Sequence, residues 1–113
     1  MTLLNLIFNE SRFHFSRQLM QLLSYQVPLK EALHFLSQQT INFRNISKDI
    51  FKKLEEGLSV VSACQAILHP GFSSGITYGY RVPDFQKWLR LTVHHMDFYH
   101  QLLQKNVSQL MYP

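Results

Sequence analysis

A chain of 113 residues that is 46% hydrophobic, 16% charged and 13% aromatic suits one domain with one real core. Only four glycines and four prolines exclude collagen-like repeats and argue against disorder or a turn-rich sandwich. The formal charge of +4 and isoelectric point near 9.4 suit nucleic acid, an anionic membrane surface or an acidic partner, but no basic run reaches three residues, so a solvated basic surface is expected.

The opening MTLLNLIFN is apolar but short, is broken by Asn5 and lacks the charged start and cleavage site of a signal peptide, so it is expected to pack as a small helix. No apolar stretch approaches the ~20 residues that cross a bilayer. Asn9 or Ser11 can cap a first helix starting near Glu10. Phe15, Leu19, Leu22 and Leu23 then recur at offsets of four, seven and eight, which is one helix face, with Arg17, Gln18, Gln21 and Ser24 on the others. Pro28 cannot continue that helix but can begin the next, whose buried positions are Leu29, Ala32, Leu33 and Leu36. So short a link makes the two helices antiparallel or sharply crossed neighbours.

Thr40 or Asn42 caps a third helix with Phe43, Ile46, Ile50 and Leu54 inward, ending at Gly57, which tolerates a left-handed C-cap. Ser59 restarts the chain into VVSACQAIL, which ends at His69-Pro70-Gly71. PGFSSGITYGYRVP holds three of the four glycines and reads as turn-rich, with one short helix over 73–80. Pro83 begins a last long helix striped by Phe85, Trp88, Leu89, Val93, Met96, Tyr99 or His100, Leu103 and Val107. Nothing alternates with period two for long enough to make a sheet, so the expected fold is an all-α bundle of about six helices in a single domain.

Signs of catalysis are sparse. Glu55 and Glu56 are the only adjacent acids, and neighbours one apart on a helix point in different directions. No phosphate-binding glycine loop, nucleophile elbow or zinc-binding spacing occurs. Of six histidines, His94, His95 and His100 cluster with Asp97 on the last helix, but their spacing does not match a metal pair, and a solvated face is expected. Cys64 is the only cysteine; it can form no intrachain disulfide, and its apolar setting predicts a buried structural thiol. Tyr78, Tyr80, Trp88, Phe98, Tyr99 and Tyr112 flank or follow the irregular segment, and aromatics are enriched at interfaces. Tyr78, Tyr80 and Arg81 are therefore candidate partner contacts.

FSRQLMQLLSYQVPLKEALHFL, at 15–36, resembles the first cytoplasmic domain of the inner-membrane platform proteins of type IV pili and type II secretion systems. Phe15, Arg17, Gln18, Leu19, Leu22, Leu23, Pro28, Leu29, Ala32 and Leu33 match that family in order and spacing. LEEGLS, with Gly57 and Ser59, looks like the family's Leu-x-x-Gly-x-Ser turn. QLMYP, with Tyr112 and Pro113, looks like its entry into a first transmembrane helix. Two departures stand out: Gln26 replaces the family's glycine before Val-Pro, and its Gly-Glu-x-x-Gly-x-Leu becomes Gly79, Tyr80, Arg81, Val82, Pro83, Asp84, Phe85. Some members of that family bind a divalent metal through acids near the last helices; with the glutamate gone, no metal site is carried over.

The resemblance implies a diverged, pilus-type member: a non-enzymatic scaffold and coupling domain without cofactor, on the cytoplasmic side of the bacterial inner membrane, ending just before a membrane span. Its implied partners are the assembly ATPase, other inner-membrane machine proteins and a second copy in a homodimer, with no nucleic acid. A small basic all-α nucleic-acid-binding or regulatory protein is the alternative, and a histidine-rich metalloenzyme a third.

Overall fold

The structure, a computed structural model, describes residues 10–79 and 81–111. Among them run α1 (Glu10–Ser24), α2 (Leu29–Ser37), α3 (Ile41–Glu55), α4 (Val60–Ile67), α5 (Pro70–Gly79) and α6 (Phe85–Met111), with no strand. The segment 1–9, including the Asn9 cap, and Tyr80, Tyr112 and Pro113 lie outside the described residues.

Helix ends follow local chemistry. Thr40 caps α3 by accepting from the Phe43 N–H at 3.1 Å, and Ser59 caps α4 by accepting from the Ser62 N–H at 3.1 Å. Asn42 lies inside α3 and donates across to the Ser11 hydroxyl at 3.3 Å, while Ser11 lies inside α1 and caps nothing. Pro28 takes the cap position before α2, so Leu29 is the first helical residue. Asp84, not Pro83, opens α6: its Oδ1 accepts from the Lys87 N–H at 3.0 Å.

α1 and α3 end in the same way. The Gly57 and Leu58 N–H groups donate back to Leu54 and Lys53 carbonyls at 3.1 Å each, with Gly57 at φ +92°. The Gln26 and Val27 N–H groups do the same to Leu23 and Leu22, at 3.0 and 3.1 Å, with Gln26 at φ +67°. Both are left-handed caps that satisfy otherwise unpaired terminal carbonyls. One uses the residue suited to it; the other does not.

α1 is the hub, packing against α6, α2, α3 and α5. Phe15, Ser16, Leu19 and Met20 have no solvent exposure, and Leu22 and Leu23 border the same core. Phe13 of α1, Ala32, Leu33 and Leu36 of α2, Phe43 and Ile50 of α3, Ala63 and Cys64 of α4, Leu68 just after it, Phe72 and Ile76 of α5 and Leu89, Val93 and Met96 of α6 complete it. Ser24, expected outward, is buried, and its hydroxyl donates to the Gln21 carbonyl at 2.6 Å.

Polar contacts fix α1 against distant elements. The Arg12 guanidinium donates to the Ile67 and Leu68 carbonyls at 3.0 Å each, closing the C-terminus of α4. The Ser16 hydroxyl donates to the Arg12 carbonyl and accepts from the His69 N–H, so its burial leaves nothing unpaired. Arg17, expected to face water, grips Asp97 of α6 with two parallel bonds of 2.6 and 2.9 Å. The bond to Asp97 raises the Arg17 pKa, against the opposing effect of burial.

The largest departure from expectation lies at 70–79. The turn-rich segment is one continuous ten-residue helix that starts at Pro70, three residues before the expected start. Pro70 needs no amide donor at a first helical position, and the glycines within the helix serve packing rather than turning.

Candidate functional site

Gly71, Gly75 and Gly79 recur every fourth residue along α5 and form one face, which lies on α6. A Cβ at Gly75 would stand 2.5 Å from the Thr92 methyl, and one at Gly79 would stand 2.8 Å from the Phe85 ring. At Gly71 it would collide with the end of Met96. Without side chains the two backbones come close enough for the Trp88 indole N–H to donate to the Gly75 carbonyl at 2.7 Å. Thr92 is held in turn, its hydroxyl donating to the Trp88 carbonyl at 2.9 Å.

Along the solvent side of this seam runs a groove of about 640 Å3. Gly75, Thr92 and Met96 lie at its base, with Ser74 and Tyr78 of α5 and Trp88, Leu91, His95 and Phe98 of α6 around it. Tyr78 is 57% exposed, Leu91 53% and Phe98 59%, so large apolar groups stand in water here. Leu102, 45% exposed, extends the row along α6. Trp88, Leu91, His95, Phe98 and Leu102 alternate in spacings of three and four, the spacing of a helical seam. α6 therefore carries two apolar stripes: Leu89, Val93, Met96 and His100 face the core, and this second row faces out.

The residues expected to touch a partner divide. Tyr78 lies on the groove, with its ring 6.5 Å from that of Trp88 in an edge-on contact, and Arg81 is exposed just after α5. Leu91 and Leu102 carry no sequence signal of their own, since neither is aromatic and neither falls on the inner stripe of α6. The residues matching the platform family are placed elsewhere: Phe15, Leu19, Ala32 and Leu33 are in the core, Leu22, Leu23 and Leu29 border it, and Pro28, Gly57 and Ser59 are at turns. Gln18 is half-buried on α1.

The histidines separate as well. The Phe13 ring stacks on His100 at 4.0 Å and meets His14, His69 and Phe72 edge-on. Glu10 pairs with His14 at 3.0 Å and reaches His100 at 3.4 Å. So His100, and not Tyr99, continues the inner stripe of α6; Tyr99 is 50% exposed. His94 and His95 are exposed. Among the described residues no group of three or more His, Cys, Asp or Glu could hold a metal ion. Cys64 is buried, and burial pushes its thiol up to about 12, which keeps it protonated and a poor nucleophile.

A second, smaller groove of about 390 Å3 lies between α2 and α3, lined by Lys30, Glu31, His34, Phe35, Gln38 and Phe51. Among the described residues no helix is long and apolar enough to cross a membrane. No family model, curated protein or solved structure matches the chain.

Proposed function

We propose that the chain is a non-enzymatic scaffold and coupling domain of an inner-membrane platform that assembles pili or a type II secretion apparatus. The observation that carries this reading is the α1–α2 hairpin. Nine of its ten family-matching residues, all but Gln18, have distinct jobs in an α-bundle: apolar positions in or bordering the core, Pro28 at the start of α2 and Arg17 clamping α6. A bundle tied together in this way moves as one body, which a coupling element between a cytoplasmic ATPase and a membrane part requires. The exposed apolar row on α6 offers such a domain a surface for another machine component. Pairing of two copies through a separate face belongs to the same reading, as does a membrane span beyond the last helix.

Sequencing the genomic reading frame beyond the codon for Pro113 tests the proposal. It predicts continuation into an apolar stretch of about 20 residues, enough to span a bilayer. A stop codon or a long polar continuation would contradict it.

A further inference from the structure

We propose that the groove between α5 and α6 receives an acidic amphipathic helix from a partner protein. The inference goes beyond the platform reading and stands without it, because it rests on the shape, apolar exposure and charge of the groove.

Shape comes first. The groove lies between two helices locked together by the glycine face of α5 and the Trp88–Gly75 bond, so it is preformed rather than opened by a ligand. Leu91, Phe98 and Leu102 present apolar area in steps of seven and four residues, the register in which a second helix lays its own apolar row.

Charge then selects the occupant. Lys87 stands one turn before Leu91, Arg90 one turn before His94, and Lys105 one turn after Leu102. Together with Arg81 these cations are exposed, and none forms an ion pair among the described residues. The acids of α6 and its cap are already engaged: Asp97 is held by Arg17 and Asp84 caps the helix. Glu10 is engaged by His14 and by His100 on the inner side of α6, and Glu31, Asp49, Glu55 and Glu56 belong to α2, α3 and the end of α3. No cation lines the groove itself, but Lys87, Arg90 and Lys105 stand a turn from its lining or its row on α6 and Arg81 just past the end of α5, so its surroundings are basic.

That combination disfavours the other occupants. Two copies joined through this face would set like charges against each other. The chain's own opening segment, MTLLNLIFN, contains no acid to answer them. A lipid surface is met by a protruding amphipathic face, whereas this surface is concave. A helix with leucines on one side and glutamates flanking them answers both the apolar groove and its basic surroundings.

Trp88 is the only tryptophan and lies on the groove, so its emission reports occupancy directly. The full chain is titrated with a synthetic helix bearing leucine on one face and glutamate on the other, and with its lysine-for-glutamate counterpart. The expected result is a saturable change in Trp88 emission with the glutamate peptide, and binding at least ~10-fold weaker with the lysine peptide. Phe98→Glu should weaken the glutamate peptide by ~10-fold or more while leaving the circular dichroism spectrum intact, since Phe98 is 59% exposed. Equal binding of both peptides, or of neither, would overturn the proposal. So would anionic phosphatidylglycerol vesicles shifting Trp88 where the glutamate peptide does not, or a dimer, formed without peptide, that Phe98→Glu dissolves.

Discussion

Gln26 and Gly57 make the same turn with different residues, and the comparison isolates what a side chain costs there. Both sit at positive φ, where a Cβ approaches the neighbouring carbonyl, and only glycine escapes that clash. Gln26→Gly is therefore expected to raise the unfolding free energy by about 0.5–1 kcal/mol, the relief of strain exceeding the entropy lost in ordering a glycine. A higher denaturant midpoint at unchanged slope would register it. Gly57 was legible as a helix stop because glycine announces the conformation. Gln26 was legible only by contrast with the glycine at that place in the platform proteins the segment resembles, since glutamine carries no backbone signal of its own. His69 is a second residue whose role is local. It stands at the cap of α5, where its Nδ1 accepts from the Gly71 N–H at 3.3 Å, a bond that a protonated ring cannot accept. Burial first, then the Arg12 and His100 charges, hold its pKa below the ordinary value near 6.5. The unfolded chain therefore binds this proton more readily than the folded one. The stabilisation is complete above about pH 6.5 and is lost as pH falls through the lower folded value. His69→Asn keeps a capping acceptor without the titration, so its stability should fall less steeply with acid over that range in pH-dependent denaturation.

At the scale of elements, the α5–α6 seam turns on which neighbour meets each glycine. At Gly75 the obstacle is Thr92, a β-branched side chain whose hydroxyl is committed to the Trp88 carbonyl. At Gly71 it is the flexible end of Met96, which can move aside. Gly75→Ala should cost about 1–3 kcal/mol by overpacking, whereas Gly71→Ala should be neutral or stabilising through better helix propensity. Thermal melts of the two single variants check this, and equal costs would mean that the seam does not depend on close approach at Gly75. The same glycines explain why 70–83 reads as turn-rich with a helix starting only at Ser73 rather than at Pro70. Three glycines in fourteen residues look like punctuation until their spacing of four is noticed, and only packing against α6 gives that spacing meaning. The caps at Thr40 and Ser59 were legible because a hydroxyl before an apolar run has one common use. The inner stripe of α6 was legible for a similar reason. Its outer stripe was not, because a sequence does not say which of two apolar rows a bundle will cover.

Over the whole molecule, the distribution of charge follows the division between core and surface. Arg12 and Arg17 are used internally, the first closing α4 and the second joining α1 to a residue eighty positions away. Arg81, Lys87, Arg90 and Lys105 remain exposed at the surface. Net charge alone said only that the protein is basic; the fold uses two cations as clamps, sets four around α6, and leaves Lys30, Arg44, Lys48, Lys52 and Lys53 on α2 and α3. The all-α class was legible from periodicity, because 3.6-residue repeats recur through nearly the whole chain and no alternating run competes. The working surface was only partly legible, since a groove is a relation between helices and belongs to neither one. The most direct test of the proposed coupling role is to sediment the full chain with a hexameric assembly ATPase encoded in the same genome. A stoichiometric complex at physiological salt, lost on Phe98→Glu, is the predicted result. A chain that sediments alone at every concentration, or a complex indifferent to Phe98→Glu, would contradict a coupling role for the α5–α6 face.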